Sequence, residues 1–199
     1  MATAFANIAF TPSVKAVQQL YGSREAYSGF EHNNEMALSR TEAEFIGARD
    51  SFYMASVSES GWPYVQHRGG AVGFIKVLSE NTLGFADFRG NRQYVSVGNL
   101  NNDDRVALIL MDYANKRRLK IWGHVRMIHD ADEPELLAQL EIPSYRARVE
   151  RGMVITVAAF DWNCPQHITP RYSKTELEQL LAPLRAEIEV LKSQLAAAN

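Results

Sequence analysis

One cysteine, Cys164, stands in 199 residues, so the chain can close no internal disulfide. That fits a reducing compartment. Five histidines (His32, His67, His124, His129 and His167) are scattered, with no HExxH motif and no paired cysteines beside them, so no metal site is expected. No GxGxxG follows a strand-like run, which argues against a dinucleotide site of the doubly wound type. No nucleophile elbow marks a Ser/His/Asp hydrolase. No apolar run approaches the roughly 18 residues of a membrane span. The N-terminal MATAFANIAFTPSVK has no basic segment ahead of an apolar one, so no leader is expected and the cytoplasm is the expected location. Neither sign of charge is in excess: the formal net charge of -2 gives no general attraction to nucleic acid or to an anionic membrane. Internal repeats and low-complexity tracts are missing too.

What is present is an ordinary globular composition, 46% hydrophobic, in a chain long enough to bury a core without staples. Thr11-Pro12-Ser13 opens a short helix that ends at Gly22, and Ser23 to Asn34 reads as loop with room for a helical turn. Ser39 with Glu42 forms a capping box ahead of a helix to about Ala48. Strands are expected at Phe52–Ser58, at Arg105–Asp112, at Arg118–Ile128 with a break at Gly123, and at Met153–Trp162. The run Val106 to Met111 is apolar at every position, which predicts burial on both faces. Short helices are expected at Tyr94–Leu100 and behind Pro134, and Tyr145–Arg151 reads equally as helix or loop. The pattern predicts a mainly β fold, a small antiparallel barrel with short flanking helices. Three regions follow: an N-terminal extension over 1–35, the barrel over 36–172, and a helix over 173–199. In that last helix Leu177, Leu181, Leu184, Ile188, Leu191 and Leu195 alternate spacings of four and three, a seam of coiled-coil type interrupted by Pro183. The seam suits a helix packed on its own barrel and an intersubunit contact equally.

The centre of the chain is the stretch from Gly61 to Gln93. Two extended segments flank a polar turn, Ser79-Glu80-Asn81, and are expected to pair as a hairpin. The first carries Gln66, His67, Arg68, Gly69 and Gly70. The second leads into Asp87, Phe88, Arg89, Gly90, Asn91, Arg92 and Gln93. Glycines admit a flat ligand close to the backbone, and arginine forks match phosphate oxygens. A planar ring with an anionic tail suits this hairpin. So, on composition alone, does a plain hairpin with surface arginines. The basic run Lys116 to Lys120 reads as a solvated turn, and Cys164 as a small packing residue.

Four blocks in order, PYVQHRGG (63–70), TLGFADFRGNRQ (82–93), NDDRVALILM (102–111) and RLKIWGHVR (118–126), resemble the pyridoxamine 5'-phosphate oxidase-like flavoproteins, in the branch of predicted flavin-nucleotide-binding proteins. The resemblance spans roughly Phe10 to Arg171. It implies a six-stranded FMN-binding split barrel and a homodimer with FMN at the subunit interface. It also implies that Arg68 and Arg92 grip the flavin phosphate, with Gln93 standing where the family has Lys. His67, Gly69, Gly70, Asp87, Phe88 and Asn91 fall in the stretches that line the cofactor, and the amides of Gly69 and Gly70 could polarise the ring. Arg118 falls where the family has a Gln that reaches the flavin.

Two departures bear on activity. The Lys that follows the first Arg in true pyridoxamine phosphate oxidases is replaced by Val72 and Gly73. The Arg-x-His near the C-terminus is replaced by CPQHITPR, leaving His167 and Arg171 as substrate-side candidates. The implied function is therefore a flavin-dependent oxidoreductase of unknown substrate. The alternatives are a flavin-binding module without turnover, for storage, sensing or electron relay, and a structural dimer without cofactor.

Overall fold

The computed structural model describes residues 4–32, 37–162 and 164–198. They divide into two compact units, one formed by residues up to Met111 with Arg118–Cys164, the other by Asp112–Arg117 with Pro165–Asn199.

The first unit opens with three short helices, α1 (Ala4–Ala9), α2 (Pro12–Leu20) and α3 (Arg24–Ser28), and a 3-10 turn at Gly29–His32. Thr11 Oγ1 accepts from the Val14 amide at 3.4 Å and Pro12 fills the first helical position, as the sequence predicts for α2. The helix α1 replaces expected irregular chain, α3 falls where a helical turn was allowed within the expected loop, and Asn33 and Asn34 of that loop lie outside the described residues. The helix α4 (Arg40–Gly47) carries the predicted capping box. Its Glu42 accepts from the Ser39 amide at 3.0 Å and from Trp162 Nε1 at 2.7 Å. Burial opposes the charge on Glu42, yet these bonds, with one from the Ser39 hydroxyl, hold its carboxyl below the ordinary range.

Seven strands follow rather than six: β1 (Ser51–Val57), β2 (Pro63–Gly69), β3 (Ile75–Ser79), β4 (Thr82–Phe88), β5 (Arg105–Asp112), β6 (Arg117–Ile128) and β7 (Val149–Trp162). Between β4 and β5 lies α5 (Val95–Asn102), and between β6 and β7 lies α6 (Pro134–Leu140). Spatial order in the sheet is β2-β1-β5-β6-β7-β4-β3. The pairings of β1 with β2 and β5, of β4 with β3 and β7, and of β6 with β7 are all antiparallel. The sheet curls on itself: Phe52 of β1 and Phe85 of β4 meet edge to face at 5.2 Å, although three strands separate them in the pairing order. Phe74 completes this aromatic core, with Met54, Leu110, Leu119, Ile121 and Met153.

Two expectations are corrected. The run from Trp62 to Ser79 is not one segment paired with the next. It breaks at Gly70–Phe74, so that β2 pairs with β1 while only β3 forms the hairpin with β4. The break has a steric cause: a Cβ on Gly70 would lie 2.7 Å from Cγ of Phe74, whose ring closes over the turn. The second correction concerns β5. Val106, Leu108 and Leu110 are buried, but Ala107, Ile109 and Met111 are only half-buried. One face of this apolar strand therefore remains open. At Gly123 the expected break in β6 is a register shift, and a Cβ there would stand 2.5 Å from the Thr156 carbonyl oxygen.

In the second unit α7 (Lys174–Ala198) runs unbroken through Pro183. It opens on a Ser173/Glu176 pair in which the Ser173 amide donates to Glu176 and the Glu176 amide to Ser173 Oγ. Among the described residues no helix is long and apolar enough to cross a membrane.

Candidate functional site

The antiparallel register of β2 on β1 sends Tyr64, Gln66 and Arg68 to one face of the strand and Pro63, Val65 and His67 to the other. The first set lines a cavity of about 270 Å³. Opposite them stand Asp87 and Phe88 at the end of β4, the loop Gly90–Tyr94, the first turn of α5 with Ser96 and Val97, and Glu150 of β7. Ser96 donates to the Gln66 side chain at 2.8 Å, tying the helix start to β2.

Charge in the cavity is paired but unevenly satisfied. Arg68 donates to Asp87 across the barrel, with side chains 11% and 7% exposed. Arg151, opposite Asp87 in the β4–β7 register, brings its Nε to 3.5 Å of the same carboxylate and donates from Nη2 to Glu150 at 3.0 Å. Burial raises the Asp87 carboxyl above its ordinary range, against the pull of both guanidiniums. The Nε atoms of Arg68 and Arg151 are buried without a hydrogen-bond partner.

The loop after β4 is held in an unusual conformation. Arg92 and Tyr94 have φ of 64° and 54°, the left-handed region that non-glycine residues seldom adopt. Asn91 Oδ1 accepts from the Gln93 amide at 3.1 Å, and Arg92 Nε donates to the Tyr94 hydroxyl at 3.2 Å. Tyr94 caps α5 with no side-chain bond to the helix, so the first amides of α5 remain open to an acceptor. A helix start and two arginines thus converge on one cavity beside the rings of Phe88 and Tyr94. That donor set fits an anionic group carried by a planar ligand.

The structure brings together Arg68, Asp87, Phe88, Asn91, Arg92 and Gln93. Six other residues singled out in the sequence lie off the cavity lining. His67 stands on the opposite face of β2, edge-on to Tyr53 at 5.4 Å. The Gly70 amide donates to the Asp50 carbonyl at 2.8 Å and is not available to polarise a ring, while Gly69 ends β2 against Asp50 and His67. Arg118 shares its face of β6 with Lys120 and Trp122, and its Nε is buried without an acceptor. His167 and Arg171 belong to the second unit, where His167 has φ of 62° and Arg171 lies over the Tyr113 ring at 5.1 Å. Sequence reasoning missed Tyr64, Gln66, Ser96, Glu150 and Arg151. Tyr64 and Gln66 were within reach, since they share strand parity with Arg68. Glu150 and Arg151 enter only through the register of β7.

A family model described as pyridoxamine 5'-phosphate oxidase matches residues 38–160, more than half of the chain and all the cavity residues named above. No curated protein matches. Among solved structures, a putative pyridoxamine 5'-phosphate oxidase from Lactobacillus delbrueckii is 18% identical, with 64% of this chain and 96% of that one covered and a TM-score of 0.49. An FMN-binding protein from Syntrophomonas wolfei is 14% identical, with 73% and 97% covered and a TM-score of 0.44. HupZ from Group A Streptococcus is 12% identical, with 68% and 99% covered and a TM-score of 0.49.

Proposed function

Because the chain belongs to the pyridoxamine 5'-phosphate oxidase family, we propose that it is an FMN-binding oxidoreductase acting on a substrate other than pyridoxamine 5'-phosphate. The observation that carries the cofactor is the convergence of Arg68, Arg92 and the open amides of α5 on one cavity. FMN supplies hydride or electron transfer when bound. The protein supplies position and charge. Arg92, exposed and on a fixed backbone, meets the phosphate first. Arg68, in the cavity wall, adds positive charge behind it while keeping Asp87 as counter-charge. Phe88 and Tyr94 give apolar surface to the ring side.

Second-copy participation rests on the open face of the sheet. Pro63, Val65, Tyr53, Ala55, Ala107 and Ile109 form a continuous apolar surface on β2, β1 and β5, with Val65 61% exposed. Such a surface on an ordinary soluble chain marks an interface. A homodimer covers it, and the resemblance assigns Arg118 to a ligand held by the second copy.

The visible spectrum of the purified protein, with the released chromophore identified, tests the cofactor. A colourless preparation that does not bind added FMN refutes it. Oxidation of a reduced nicotinamide in steady state separates an enzyme from a module that holds flavin without turnover. Pyridoxamine 5'-phosphate is expected to turn over poorly, since each missing cation removes a charge-assisted bond worth roughly 1.5–3 kcal/mol. Turnover on it in the ordinary enzymic range, about 1–1000 per second, refutes that assignment.

A further inference from the structure

We propose that α7 is one strand of a parallel two-stranded coiled coil formed with a second copy of this chain. The folded chain leaves an apolar stripe of α7 open. Leu177, Leu184, Ile188, Leu191 and Leu195 are each between 47% and 67% exposed. They recur, with Leu181, at alternating steps of four and three through a continuous helix. In heptad terms Leu177, Leu184 and Leu191 occupy d, while Leu181, Ile188 and Leu195 occupy a. Pro183 falls at c, on the outer side, so the residue that interrupts the pattern in sequence does not enter the seam.

The occupant follows from the flanking charges. In a parallel pair, a g residue faces the e residue five positions on in the other helix. Glu187 is at g and Lys192 at e, so a second copy aligned in parallel and in register sets Glu187 against Lys192 on both sides of the seam. No like charges meet at these positions. Turning the second helix around sets Glu187 against Glu187 and Arg185 against Arg185, which disfavours the antiparallel pair. Lys192 bonds Glu189 of its own helix at 2.8 Å, but both side chains are largely exposed and exchange partners at little cost. Leu fills every d position and Ile188 the central a position, the Ile-at-a, Leu-at-d pairing that favours two strands, while Leu181 and Leu195 at the outer a positions add no such preference. The seam is short, under three heptads, and so acts as an addition to another contact between the same copies, by raising their effective concentration.

The inference is independent of the flavin reading, and its test reports on the tail alone. With Cys164→Ser as background, Ile188→Cys places one thiol at an a position, where a parallel pair sets it against itself. Mild oxidation of the full chain is expected to give a covalent dimer, with none from Glu189→Cys, which sits on the outer face. Equal cross-linking by both variants, or none by Ile188→Cys, overturns the proposal. Cross-linking only when Ile188→Cys is mixed with Leu184→Cys shows an antiparallel pair and also overturns it. Glu187→Lys should weaken association in sedimentation, and adding Lys192→Glu should restore it. Failure of the double change to restore association removes the charge argument and with it the parallel assignment. Flavin absorbance is expected to be the same in all these variants.

Discussion

Two arginines in the cavity do different work. Arg92 is exposed, held at φ of 64°, and free of any carboxylate in contact, its Nε going to Tyr94. Losing its phosphate contact through Arg92→Ala should weaken FMN by about tenfold to a hundredfold, the equivalent of roughly 1.5–3 kcal/mol. Riboflavin, lacking the phosphate, should bind as before; equal weakening of both would show that the change acted through folding. Titration by fluorescence quenching reads both ligands. Arg68 is tied to the fold by Asp87, which also faces Arg151. Asp87→Asn keeps the shape and leaves the buried Arg68 guanidinium without its counter-charge, while Arg151 keeps Glu150. Breaking such a pair costs about 3–5 kcal/mol, so urea denaturation should show a large loss of stability before any ligand is added. A stability within 1 kcal/mol of wild type, on the order of an exposed pair, would show that the cluster is solvated.

At the scale of elements, the start of α4 and the end of β7 are joined through one carboxylate. Glu42 receives the Ser39 amide and the Trp162 indole, and its carboxyl is held below the ordinary range despite burial. A lowered acid pKa stabilises the fold above the unfolded value, near 4.3, and that contribution fades as pH falls through the lower folded value. Glu42→Ala should therefore cost roughly 2 kcal/mol at pH 7. The gap to wild type should narrow on acidification below about pH 4. Thermal unfolding of both proteins between pH 3 and 7 checks the sign. A gap that widens toward acid would mean that the Glu42 bonds are made by the protonated form.

For the whole molecule, the open apolar face on β1, β2 and β5 predicts a dimer. Sedimentation at micromolar concentration should show no monomer of 22.4 kDa. Val65→Asp, a change at a largely exposed site, should leave the fold intact and drive the chain to monomer. If Arg118 reaches the ligand of the second copy, FMN affinity falls with it. A Val65→Asp dimer with unchanged affinity would place the interface elsewhere.

Composition and local pattern alone determined much of this protein. The capping box at Ser39, the α2 start at Thr11, the strands β5 and β6, and the heptad stripe of α7 were each legible because their causes lie within a few residues. Arg68 and Arg92 could be paired from the resemblance of four spaced blocks, without knowledge of what they touch. Other features were decided only by the tertiary structure. The turn at Gly70–Phe74 depends on Phe74 meeting Phe52 and Phe85, residues distant in the chain. The strand β5 reads as buried on both faces because its residues are all apolar, and composition cannot tell a core face from one kept for a second copy. Glu150 joins the cavity, and Arg151 its Asp87 carboxylate, through the pairing of β7 with β4, which is fixed by packing over some 60 intervening residues rather than by any local signal. Local chemistry is written in the sequence, but which distant chemistries share a cavity is set by how the sheet closes.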